Sequence, residues 1–333
     1  MNGFSAAISG VGSAIGRYFS VVSFIPSLFL VGFTFALIES GAWGGTGEPD
    51  WVRAGNVLTH LGNLALLTLI SVALGVVVHP VQFSLVQFFE GYWGPGRLAQ
   101  RVRVMRIMHH LESRKGRLGD IKSTRKALVD PKELPGSASR VKLLSLRGES
   151  DRMFAGFPLA VDDIMPTRLG NVLRKYERQA GAQYGLDAIG IIRHVALVAP
   201  AQRLEYVNDQ RQLLDLSVRM SATSILATLV AIAFMWRHGL WLLIALVPYG
   251  IAYISYRGAV VVAHEYGSAV ATMIDLDRFA LYDCLRLPTP ATTTAERQMN
   301  AKLMRLIAHN RKVVLRYEHP SASGDAAASP KDT

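Results

Sequence analysis

Long charge-free runs alternate with dense polar ones along this chain. Tyr18–Ile38, Ala54–Phe89, Met220–Trp236 and His238–Tyr256 contain no Asp, Glu, Lys or Arg. A hydrocarbon core about 30 Å thick takes about 20 apolar helical residues to cross. The first run supplies 21 residues, the third 17 and the fourth 19. The second has 36, too many for one straight crossing. Its most apolar part is Leu61–Val78, and His79–Phe89 continues the helix out of the membrane or along its surface. Arg237-His238-Gly239 forms a turn between the last two runs. A single helix through it would place Arg237 in mid-membrane, at a cost of about 2.5–3.5 kcal/mol. The pattern predicts an all-α membrane protein: two transmembrane helical hairpins, with a mostly helical cytoplasmic domain between and after them.

The expected division of the chain follows. Residues 1–17 form an N-terminal interfacial helix, with Phe4, Ile8, Val11 and Ile15 at helical spacing. Residues 18–90 form the first hairpin, 91–219 a basic cytoplasmic domain and 220–256 the second hairpin. Residues 257–317 are C-terminal cytoplasmic helices, and 318–333 a disordered tail rich in Ser, Ala, Gly, Pro and charge. Within these, Arg97–Val129 reads as helix. Asp130–Pro158 reads as a Pro-, Gly- and Ser-rich stretch with a short strand at Val141–Leu146. Thr167 caps a helix that Gly181 stops. A helix from about Gln202 runs into the third span, another covers Gly258–Arg286, and a last one lies around Glu296–His309.

Charge sets the orientation. Gly91–Arg219 carries 23 Lys+Arg against 13 Asp+Glu, a net +10 of the overall +11. Cytoplasmic loops carry the Lys/Arg excess, so this segment and both termini are expected in the cytoplasm of a bacterial cell, on a multi-pass inner-membrane protein. The N-terminus does not read as a cleavable signal peptide, since no basic residue precedes Arg17. Cys284 is the only cysteine, which rules out an intramolecular disulfide framework and a multi-cysteine zinc site.

Candidate chemistry is sparse. His264-Glu265 opens like a zinc HExxH motif, but the fifth position is Ser268, so the second imidazole ligand is missing. Gly10-Val11-Gly12 and Gly16 have the wrong spacing for a dinucleotide fingerprint, and a membrane run follows them. His109-His110 with Glu112 reads as a surface pair. No GxSxG elbow, Walker loop or CxxC occurs. No catalytic residue, cofactor, metal or nucleic-acid partner is expected.

Three stretches carry a resemblance: HPVQFSLVQFFEGYWG (His79–Gly94), MPTRLGNVLRKYERQAGAQYGLDA (Met165–Ala188) and YGSAVATMIDLDRFALYDCLRLPTP (Tyr266–Pro290). In these the chain resembles a family of uncharacterised bacterial four-span integral membrane proteins. The resemblance implies a shared membrane fold and no activity.

Polar residues inside the spans are the more informative candidates. Thr68, Ser71, Gly75, His79 and Gln82 recur at spacings of 3 and 4, and Glu90 resumes the face. Small hydroxyl residues at such spacing let helices pack closely. The sharper reading is a pore-lining stripe, because His79 and Gln82 are costly against lipid. A pore from one four-span chain implies a homo-oligomer, an ion channel or transporter with a cytoplasmic vestibule. The alternative is a membrane-anchored scaffold or signalling protein, whose basic domain binds anionic lipid or a partner. On that reading Arg101, Arg103, Arg106, Arg114 and Lys115 are the lipid-surface contacts.

Overall fold

The computed structural model describes residues 19–42, 48–56, 60–129, 137–309 and 312–318. The interfacial helix expected over residues 1–17, and the tail beyond Glu318, lie outside the described residues. Every regular element among the described residues is helical. Four helical stretches are long and apolar enough to cross a membrane: Val22–Glu39, Leu61–Glu90, Ala201–Met235 and Gly239–Cys284.

In chain order the α-helices are α1 (Ile25–Glu39), α2 (Trp51–Asn56), α3 (Leu61–Val78), α4 (Gln82–Glu90), α5 (Arg97–Val129), α6 (Ser137–Phe154), α7 (Arg168–Gln179), α8 (Ala188–Val198), α9 (Ala201–Met235), α10 (Leu246–Cys284) and α11 (Thr293–Ile307). A 3-10 turn, His79–Val81, separates α3 from α4. Pro80 lacks an N–H and cannot continue the α-helical ladder there. Gly239–Ala245 is 3-10 helical and leads into α10, where Pro248 falls in the first turn and removes no needed hydrogen bond.

Most boundaries follow from local chemistry. The hydroxyl of Thr167 accepts from the Gly170 N–H at 2.9 Å, capping α7. Gly181, at φ 76°, stops that helix in the left-handed region. Asp187 caps α8 through the Gly190 N–H, and Thr292 caps α11 through the Ala295 N–H. The Thr292 cap starts α11 three residues before the expected Glu296. The strand expected at Val141–Leu146 is a correction: those residues belong to α6. A lone six-residue strand has no partner to complete its hydrogen bonds, whereas α6 pairs along α5.

The chain divides into two compact units. The first comprises Met1–Lys175 and Asn208–Tyr266. In it α1 packs on α3, and Gly75 faces the Ser23 backbone so closely that a Cβ would sit 3.4 Å from its carbonyl oxygen. Ser221 on α9 donates to the Ala252 carbonyl of α10 at 3.1 Å. Ala227, Ala231, Ala252, Ala259 and Ala263 are all buried, and such small side chains let helix backbones approach. At the opposite end of these helices Leu37, Ala42, Ala231, Phe234, Met235 and Ala245 form an apolar core, with Trp51 packed against it.

The second unit comprises Tyr176–Val207 and Gly267–Thr333. A buried polar chain holds α11 to α10. Arg278 Nε donates to Glu296 at 2.8 Å, and Tyr282 donates to the same carboxylate oxygen at 3.0 Å. Asn300 then donates to the Tyr282 hydroxyl at 2.6 Å and to the Tyr184 carbonyl at 2.9 Å. Asp277 accepts a fork from Arg203 at 2.9 and 2.5 Å. Burying the Glu296 and Asp277 carboxylates is tolerable because each is paired and hydrogen-bonded.

Candidate functional site

The stripe on the second span divides into inward and outward members. Ser71 is buried, and its hydroxyl donates to the Leu67 carbonyl at 2.6 Å. Gly75 faces Ser23, as described. Gln82 is buried and turns towards α9. Thr68 and His79 are exposed, with the Thr68 hydroxyl satisfied by the Leu64 carbonyl at 2.8 Å. Glu90 is half-buried, and its carbonyl accepts from the Thr167 hydroxyl at 2.9 Å.

Gln82 is the centre of a polar cluster. Its Nε2 donates to the Asp215 carbonyl at 3.1 Å and to Asp215 Oδ1 at 3.2 Å. Its Oε1 accepts from Arg219 Nε at 2.8 Å. Arg219 Nη2 reaches the Val78 carbonyl at 3.5 Å, beside the Pro80 break. Arg219 is only 1% exposed, and Gln82 and Asp215 7% each. A buried guanidinium needs such partners, because removing the charge from water costs several kcal/mol. The amide of Gln82 serves carboxylate and guanidinium together, since it is donor and acceptor at once. Asp215 and Arg219 lie one turn apart on α9, so both face the same neighbour. Neither stands out in the sequence, because both fall just before the third charge-free run. The available signal was Gln82 itself, a hydrogen-bonding amide within an apolar run.

Below this cluster the chain leaves the second span through a tightly built crossing. Gly91 caps α4 at φ 107°, and a Cβ there would lie 2.2 Å from the Pro166 ring. A Cβ on Gly170 would lie 2.1 Å from the Glu90 carbonyl oxygen. Asn171 holds the approach by hydrogen bonds to Met165 N and O, at 2.9 Å each. His110 of α5 joins the same knot. It is buried, stacks edge-on to Phe157, and its Nε2 lies 3.2 Å from the Pro166 carbonyl, so Nε2–H must donate. Burial, and then the charge of Arg106, lower its pKa to about 4. Lys175, at the end of this unit, is also shifted down by burial.

The five basic candidates on α5 do not share one environment. Arg101, Arg106 and Lys115 are exposed. Arg103 is half-buried and donates to the Gly94 carbonyl at 3.4 Å. Arg114 is half-buried, donates to the Leu159 carbonyl at 2.6 Å and lies over the Phe154 ring at 5.6 Å. Among the described residues no three His, Cys, Asp or Glu side chains gather as metal ligands. Asp275 accepts from Gln183 while Asp277 binds Arg203, which places the two carboxylates on different partners. No family model, no curated protein and no solved structure matches the chain.

Proposed function

We propose that this protein is a membrane-anchored scaffold, with residues 91–219 on the cytoplasmic side of a bacterial inner membrane and a basic face of α5 on anionic lipid. The observation that carries this reading is the Gln82–Asp215–Arg219 cluster. The Gln82 amide of the second span is spent on Asp215 and Arg219, at the entry to the third, inside one chain. Ser71 and Gly75 are likewise turned inward. Helices built this way anchor and orient the chain, and need no water-filled path between them. The exposed Arg101, Arg106 and Lys115 supply the lipid attraction, at about 1 kcal/mol each near an anionic surface.

A second reading is a homo-oligomeric channel or transporter with a cytoplasmic vestibule. It is favoured by Thr68 and His79, which stand exposed on the outer side of the second span. Another copy would cover them there. Ion flux through full-length protein in liposomes separates the two readings. The scaffold predicts no flux at any pH tested, for wild type and His79→Ala alike. Flux that varies with pH in wild type and flattens in His79→Ala overturns the scaffold.

A further inference from the structure

Cations from two distant parts of the chain are brought to one buried imidazole. His110 is fixed by the Phe157 ring and by the Pro166 carbonyl. Arg106 lies one turn before it on α5, and residues four apart share a helix face. The His109 ring stands 5.9 Å from the His110 ring. Arg168, the first residue of α7, follows Pro166 by two positions. Arg106, His109 and Arg168 all act against a proton on His110, so the three surround the same point.

The two arginines are not used inside the protein. Among the described residues Arg106 and Arg168 form no ion pair and no side-chain hydrogen bond, and both are exposed, as is His109. On the inward side of α5 the arrangement is different: Arg103 and Arg114 are spent on the Gly94 and Leu159 carbonyls. Glu112, the nearest carboxylate along α5, lies about 120° round the helix from Arg106. Like charges gathered at one point oppose each other, so a counter-charge from outside the chain is favoured there. The donor set indicates which anion fits. One guanidinium fork fills the two oxygens of a carboxylate, whereas two forks and an imidazole N–H suit a group with three or more acceptor oxygens.

We infer that Arg106, His109 and Arg168 form a binding site for a terminal phosphate group, carried by a lipid headgroup or by a soluble molecule. Arg106 also belongs to the basic face proposed above, so the lipid source rests on that reading and the soluble source does not. The test is the unfolding midpoint of full-length protein in a non-ionic detergent. It is measured against inorganic phosphate at constant ionic strength, with chloride as the balance, and against phosphatidic acid added to the micelles. A saturable rise is expected with at least one probe. A rise with inorganic phosphate identifies a soluble source, and a rise with phosphatidic acid alone a lipid. The apparent affinity should weaken about tenfold or more in Arg106→Gln and in Arg168→Gln. It should hold in Lys122→Gln, which removes an exposed charge elsewhere on α5. In chloride alone the two arginine variants should unfold no earlier than wild type, because each relieves the crowding of like charge. Earlier unfolding in chloride makes the arginines structural and overturns the inference. So does no rise with either probe, a rise that does not saturate, or one that Lys122→Gln weakens as much as Arg168→Gln. Phosphatidylglycerol enrichment around the protein in liposomes, measured with and without Arg101→Gln and Lys115→Gln together, tests the anionic-surface reading separately. Saturable phosphate binding without enrichment overturns that reading and leaves the site standing. Enrichment without saturable binding overturns the site alone.

Discussion

His110 is neutral in the folded chain because burial and Arg106 oppose its proton. Its folded pKa, about 4, lies below the ordinary histidine value of 6.5. Between those two pH values the unfolded chain binds a proton that the folded chain does not. The histidine's contribution to stability is therefore fully present above about pH 6.5 and is lost as pH falls towards about 4. Unfolding midpoints in detergent should fall across this window. His110→Gln, which keeps a donor near the Pro166 carbonyl, should show a shallower fall than wild type. Parallel curves would remove His110 from the account. In the sequence this residue was half of a surface His109-His110 pair. Which of two adjacent histidines is buried depends on the Phe157 and Pro166 segment, 47 or more positions away, and no local pattern reports that.

Between elements, the crossing at Gly91, Pro166 and Gly170 shows how close packing is set by single atoms. Gly170→Ala puts a methyl 2.1 Å from the Glu90 carbonyl oxygen and 2.9 Å from Met165 Cβ. Neither the backbone oxygen nor the Cβ can move aside without shifting its backbone. A loss of about 1–3 kcal/mol is expected, in line with overpacking. Gly116→Ala is the matched control. It lies within α5 with nothing inside 4 Å of the added methyl, so it should gain about 0.5–1 kcal/mol from helix propensity. Thermal unfolding of the two variants in one detergent checks both signs, and a stabilised Gly170→Ala would refute the close crossing. The span of α5, the Thr167 cap and the Gly181 stop were legible, because propensity and capping act within a few residues. Val141–Leu146 was misread because a short, mostly apolar run of six residues does not show which neighbour it will have. α5 supplies that neighbour.

For the whole molecule, topology is the property on which the functional proposal depends. The four apolar helices and the +10 segment predict residues 91–219 and both ends on the cytoplasmic side. Single cysteines at Gly45, Asp120, His238 and Asp325 in a Cys284→Ser background report the sides. An impermeant maleimide added to intact cells should label positions 45 and 238 and spare 120 and 325. Labelling of 120 from outside would reverse the orientation, and would move α5 to a leaflet where the lipid proposal has no cytoplasmic surface to act on.

The sequence by itself determined that the spans are helical and that four stretches can cross a membrane, because length, hydropathy and the absence of charge are properties of contiguous residues. It also placed the basic excess, since charge is additive along a segment. It could not determine how the polar residues of the spans are used. Thr68, Ser71, Gly75, His79 and Gln82 share one periodic stripe, yet Ser71, Gly75 and Gln82 are buried while Thr68 and His79 are exposed. That division was decided by Ser23 of the first span and by Asp215 and Arg219 of the third. Those residues are distant in sequence, and only the packed helices bring them together.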